Sequence, residues 1–153
     1  MITAQVVFAT ITGNNEDVAD IITERFEDRG LDVNQSEISQ TDPTVFNEVD
    51  ICIVCPYTYD EGQLPEEGMD FYDELNEMDL SGKIFGVAGS GDVFYEEYYN
   101  LAVDKFESAF LKAGATKGTD SVKINLEPDE IDIEALDEFV DALIVKAQTK
   151  NND

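Results

Sequence analysis

Apolar positions along the 153 residues alternate between two periods. Residues 6–9, 51–55 and 83–89 are near-continuous apolar runs of strand length, the pattern of strands buried on both faces. Between and after them, spacings of three and four mark helix faces: Val18, Ile21, Ile22 and Phe26, then Leu101, Ala102, Phe106, Ala109, Phe110 and Ala113, and finally Leu136, Val140, Leu143 and Ile144. Residues 31–35 and 121–126 read as two further strands, and 66–78 as a helix after the break at Leu64-Pro65. Thr41-Asp42-Pro43 opens a short helix, and Gly30 is placed to end the first long one. The pattern predicts five strands separated by helices.

Strands alternating with helices imply a parallel sheet covered on both sides, a three-layer α/β/α open sandwich. Two strand orders are common for such chains. In either, ligands bind beyond the carboxyl ends of the strands, near the point where the strand order reverses. No repeat, low-complexity tract or interdomain linker is present, so residues 1–147 are taken as one domain and 148–153 as a polar tail.

Charge narrows the function. There are 35 acidic and 9 basic residues, a formal net charge of −26, and no histidine. Such a surface repels phosphate backbones and anionic headgroups, so neither nucleic acid nor membrane is an expected partner. Histidine catalysis is excluded. A hydrophobic content of 42% is nevertheless too high for a charge-driven disordered chain. The first residues lack a basic flank and a cleavage site, which makes a cytoplasmic location the expectation, and self-repulsion favours a monomer. Cys52 and Cys55 form a C-x-x-C, but on a strand their Cα atoms stand about 10 Å apart and point to opposite faces. They are expected to be buried structural thiols rather than a redox pair. No metal-ligand spacing is evident.

Three loops remain as candidates for chemistry. Thr10-Ile11-Thr12-Gly13-Asn14-Asn15-Glu16 joins the first strand to the first helix and offers hydroxyls, amides, a glycine and helix N-terminal N–H groups. With no lysine or P-loop pattern, it suits a lone phosphate ester better than a triphosphate. The same residues equally suit an ordinary N-cap. Pro56-Tyr57-Thr58-Tyr59-Asp60-Glu61-Gly62 follows the third strand, and Gly89-Ser90-Gly91-Asp92-Val93-Phe94-Tyr95 the fourth. Both mix aromatics with acids, which fits either stacking on a planar ring or a hydrophobic rim beneath the loops.

Taken together, the three loops resemble those of the flavodoxin family, along nearly the whole chain. The resemblance implies the strand order 2-1-3-4-5, a noncovalently bound flavin mononucleotide (FMN), and a low-potential one-electron carrier with no catalytic residue. It also implies transient partners, a reductase and electron-acceptor enzymes bearing basic patches. Thr10, Ile11, Thr12, Gly13, Asn14 and Asn15 correspond to the phosphate loop. Pro56, Thr58, Tyr59, Asp60, Glu61 and Gly62 correspond to the first ring loop, with Tyr59 on the inner ring face. Ser90, Gly91, Asp92, Phe94 and Tyr95 correspond to the second, with Tyr95 on the outer face and Thr58, Ser90 and Asp92 along the ribityl chain and ring edge. No long insertion interrupts the fifth strand, as in short-chain members. Asp60 departs from the family, which commonly has glycine there. An aspartate tolerates a flipped peptide less readily, so the one-electron-reduced flavin is expected to be less stabilised. The alternative function implied is an accessory flavoprotein for ribonucleotide-reductase cofactor assembly. Such proteins are commonly shorter, with less regular loops.

Overall fold

The computed structural model describes residues 2–9, 14–56, 66–91, 101–125 and 128–151. Within them the apolar runs become the centre of a parallel sheet. Its strands are β1 (Thr3–Phe8), β2 (Asp32–Glu37), β3 (Ile51–Cys55), β4 (Ile84–Gly91), β5 (Thr116–Lys117) and β6 (Val122–Asn125). The helices are α1 (Asn14–Asp28), α2 (Glu66–Glu77), α3 (Leu101–Lys112) and α4 (Glu130–Asn151), with 3-10 turns at Ile38–Gln40 and Pro43–Glu48. The order is β2-β1-β3-β4-β5, with β6 also pairing with β4. Register is continuous through the middle, Val6 lying opposite Gln35 on one side and Ile53 on the other.

Because successive strand residues point to opposite faces, each apolar run feeds two cores. Val6, Phe8, Ile53 and Cys55 pack with Val18, Ile22 and Phe26 of α1 and with Leu136, Phe139, Val140 and Leu143 of α4. Val7, Cys52 and Val54 pack on the other face with Phe46, with Phe71 and Leu75 of α2, and with Val103, Phe106 and Phe110 of α3. Aromatic rings knit this second core: Phe85 and Phe110 stack at 4.7 Å, and Phe46 lies 5.5 Å from Phe110 and 5.9 Å, edge-on, from Phe71. The two cysteines are free, buried and in different cores, as strand geometry requires.

Local chemistry sets the element ends. Gly30, at φ 82°, terminates α1 in the left-handed region that an L side chain disfavours. Asp42 caps the second 3-10 turn by accepting hydrogen bonds from the Thr44 backbone N–H at 3.0 Å and its hydroxyl at 2.9 Å. The second strand lies slightly later than its apolar residues suggest, and α4 runs on to Asn151 through residues taken as the polar tail.

The fifth strand corrects the sequence expectation of one piece over residues 121–126. It is split into β5 and β6, both on β4. Phe85 pairs with Lys117 and Ala88 with Val122, so two residues of β4 (86 and 87) face four of the partner (118–121). The surplus of two loops out as a bulge, a device that bends a strand. Thr116 and Lys117 escape the apolar pattern because both are exposed and the strand is only two residues long. The following Gly118 donates its N–H to the Phe85 carbonyl at 2.9 Å. A Cβ on Gly118 would lie 2.7 Å from Ile84 Cγ2, so only glycine lets the chain turn off there.

Candidate functional site

The strand order reverses between β1 and β3, and the three candidate loops leave the sheet at the carboxyl ends of β1, β3 and β4. Thr10, Ile11, Thr12, Gly13, Thr58, Tyr59, Asp60, Glu61, Gly62, Asp92, Phe94 and Tyr95 lie outside the described residues. The roots of their loops lie within them: Ala9 and Asn14 for the first, Pro56 for the second, Gly91 for the third.

These roots are tied into a closed ring by three contacts. The Ala9 N–H donates to the Cys55 carbonyl at 3.0 Å, joining the ends of β1 and β3. At the ends of β3 and β4 the backbones approach so closely that a Cβ on Gly89 would stand 2.6 Å from the Pro56 carbonyl oxygen and 2.8 Å from Val103 Cγ2. The third tie joins β4 back to α1. The Asn15 carboxamide oxygen accepts the Ser90 backbone N–H at 2.7 Å, and its amide nitrogen donates to the Ser90 carbonyl at 3.4 Å. Asn15 is fully buried and Ser90 is 1% exposed. Asn15 is one of the residues that the resemblance assigns to the phosphate loop, and its side chain is turned to the end of β4. The structure also leaves Ala9 and Gly89 as ring members that composition and periodicity do not single out.

The electrostatics of this end are those of dipoles. α1 begins at Asn14, directly after the first loop, so the N–H groups of its first turn, which have no partner within the helix, lie next to that loop. Its first turn carries Glu16 and Asp17. The nearest base in sequence, Arg25, stands eleven residues on, about 16 Å along the axis. It is engaged there with Asp137 at 3.2 Å, while Arg29 pairs with Asp137 at 2.8 Å and with Asp141, clamping α1 to α4. Those hydrogen bonds to Asp141 and Asp137 raise the Arg29 pKa further.

Nothing described here prepares a nucleophile. Burial pushes both cysteine thiols far up, so Cys55, at the foot of the second loop, stays protonated. No group of three or more histidine, cysteine or acidic side chains among the described residues is placed to hold a metal ion. No helix among them is long and apolar enough to cross a membrane. To one side, past the end of β2, an open cleft of about 520 Å³ is lined in part by Asp42, Asp70 and Glu74.

Comparison with known proteins agrees with this geometry. The flavodoxin family model matches residues 6–139. A solved short-chain flavodoxin, described as associated with a bacterial microcompartment, is 57% identical, with a TM-score of 0.94 over 96% of this chain and 99% of its own. A Streptococcus pneumoniae TIGR4 flavodoxin structure is 48% identical, with a TM-score of 0.91 over 94% and 99% of the two chains. Among curated relatives, a probable flavodoxin of Bacillus subtilis is 30% identical over 154 aligned positions, covering 100% of this chain and 97% of that one.

Proposed function

This chain belongs to the flavodoxin family, and from that premise we propose that it shuttles single electrons between a reductase and acceptor redox enzymes on noncovalently bound FMN. The observation that supports this most is the closed ring of loop roots at the switch point. It gathers at one end of the sheet the roots of three loops whose sequences are rich in donors and aromatics, next to the N-terminus of α1, whose first turn carries Glu16 and Asp17.

The residues present fit the group. A phosphate monoester needs donors rather than a metal or lysine, and the N-terminus of α1 provides them. Thr10, Thr12 and Asn14, with the backbone N–H groups of residues 12–15, would hold the phosphate. Thr58 and Asp92 would line the ribityl chain, and Tyr59 and Tyr95 would enclose the ring. FMN, when bound, supplies the redox chemistry. The protein's share is to bind it, exclude water from its faces and surround it with negative charge. Glu61, Asp92, Glu96 and Glu97 stand nearest the ring loops in sequence and would oppose further negative charge there, lowering the potential. Acidic side chains around the same end, Asp70 and Glu74 among them, would steer a basic partner into a transient, salt-sensitive complex. A cytoplasmic monomer with no substrate turnover of its own is the form that suits such a shuttle. The three complete loops favour it over an accessory role in metal-cofactor assembly.

The test is the visible spectrum of purified protein, followed by reductive titration and electron transfer from a flavodoxin reductase to cytochrome c. The expected result is a yellow protein, or an apoprotein that takes up FMN at micromolar concentration, passing electrons while consuming no small-molecule substrate. A chain that refuses FMN under those conditions would overturn the proposal.

A further inference from the structure

Asn15, at the start of α1, is fully buried, and both ends of its carboxamide meet the backbone of a residue 75 positions away. A buried amide is retained only where its hydrogen bonds offset its desolvation, and here the bonds are to the main chain of Ser90. Main-chain partners fix a position rather than a side-chain identity. Asn15 is the last residue of the phosphate segment, and Ser90 is the first of the second ring segment. The bridge therefore sets the separation between the anchors of the two segments that would hold opposite ends of the cofactor. It adds a side-chain tie to a residue of the β-ladder, since Ser90 stands in register with Ile124 of β6.

We infer that Asn15 is a positioning residue that couples the phosphate segment to the ring segment, through the Asn15–Ser90 bridge, so that FMN meets a site whose two halves are already set apart at the right distance. The inference rests on the FMN reading above. It separates from that reading through riboflavin, which has the ring and ribityl chain but no phosphate. A side chain that only bound phosphate would leave riboflavin affinity untouched. A side chain that only supported the fold would leave both affinities untouched once the protein is folded. Coupling alone predicts that a change in the phosphate segment weakens a ligand without phosphate.

The experiment compares wild type, Asn15→Ala and Asn15→Asp. Dissociation constants for FMN and riboflavin are measured by flavin fluorescence quenching at pH 8, and far-UV circular dichroism and melting of each apoprotein check the fold. In Asn15→Ala, with both bonds to Ser90 gone, affinity is expected to fall about tenfold for FMN and about fivefold or more for riboflavin, the range set by a lost buried hydrogen bond. Asn15→Asp keeps an acceptor for the Ser90 N–H. Its second oxygen faces the Ser90 carbonyl in a fully buried site, so riboflavin affinity should recover only part of the Asn15→Ala loss, while the added charge weakens FMN by about tenfold or more. Unchanged riboflavin binding in Asn15→Ala would overturn the coupling role, as would equal loss of riboflavin binding in Asn15→Asp. Even if the alanine variant does not fold, the aspartate variant still decides. Failure of the wild-type protein to bind either flavin would instead remove the FMN reading itself.

Discussion

A methyl group added at Gly89 should separate the strand ends on which the site is built. The new Cβ would lie 2.6 Å from the Pro56 carbonyl oxygen and 2.8 Å from Val103 Cγ2. Carbon and oxygen normally sit no closer than about 3.3 Å, so one backbone must retreat by roughly 0.7 Å. The Val103 side chain cannot turn away cheaply, being β-branched, helical and fully buried. Overpacking of this kind costs about 1–3 kcal/mol. With a urea m-value of about 2 kcal/mol/M, a cost of about 2 kcal/mol lowers the unfolding midpoint by about 1 M, well within the stability of a typical domain. The displaced atoms belong to Pro56 and to the residue before Ser90, so FMN affinity should fall with stability. Gly30→Ala is the control. That site has φ 82° and no atom within 4 Å of the added Cβ, so it should lose about 1–2 kcal/mol through backbone strain and keep wild-type FMN affinity. Urea titration and FMN quenching on the three proteins decide the matter. If Gly89→Ala unfolds at the wild-type midpoint, or loses stability yet binds FMN unchanged, then the close approach of β3 and β4 does not set the site.

Three further outcomes are expected. Phe110→Ala removes the ring that stacks on Phe85 and touches Phe46, and should cost about 3–5 kcal/mol by urea denaturation, more than any single surface change. The Thr44 N–H and hydroxyl hold the Asp42 carboxyl below its ordinary pKa. A depressed folded-state pKa gives stability that is present above the unfolded value of about 3.9 and lost as pH falls through the folded one. Asp42→Asn should therefore lose less stability than wild type between about pH 5 and pH 3 in matched urea titrations. Cys52 and Cys55 should resist Ellman's reagent in the native protein at pH 8 and both react in concentrated urea; rapid native labelling would show that the sheet opens between its two cores.

Much of this molecule was legible in its sequence because burial writes a strong period. The strand Ile51–Cys55 lies where its unbroken apolar run puts it, and Gly30 ends α1 where its backbone freedom is needed. Of the fifth strand, residues 121–126 hold β6 as expected, while β5 was missed for the converse reason. Thr116 and Lys117 are exposed and pair with β4 by backbone alone, so no side-chain period marks them, and the bulge at 118–121 breaks what pattern remains. At the site, residue types pointed to an anion loop and two ring loops. They could not show that Asn15 turns to Ser90 or that Gly89 abuts Pro56, since both depend on which strand ends the topology makes neighbours. A carboxamide near a helix start looks the same in sequence whether it binds a ligand or a strand.

The remaining puzzle is how a chain of net charge −26 holds an anion at all. Range decides it. A carboxylate about 8 Å from a phosphate repels it by about 0.5 kcal/mol in water, and that distance is already about one Debye length at physiological salt. A hydrogen bond to a charged group is worth about 1.5–3 kcal/mol, so two or three N–H and O–H donors outweigh several such acids. Summed over the surface, the same acids would attract a basic partner as it comes within about a Debye length. Their repulsion also acts on charge added to a ring shielded from water, where screening is weakest. On the proposed function the same acids would then tune the potential and recruit the partner, provided the phosphate is gripped by short-range dipoles held at fixed positions. The ring of contacts through Ala9, Cys55, Gly89 and the Asn15–Ser90 pair fixes the roots that present those dipoles.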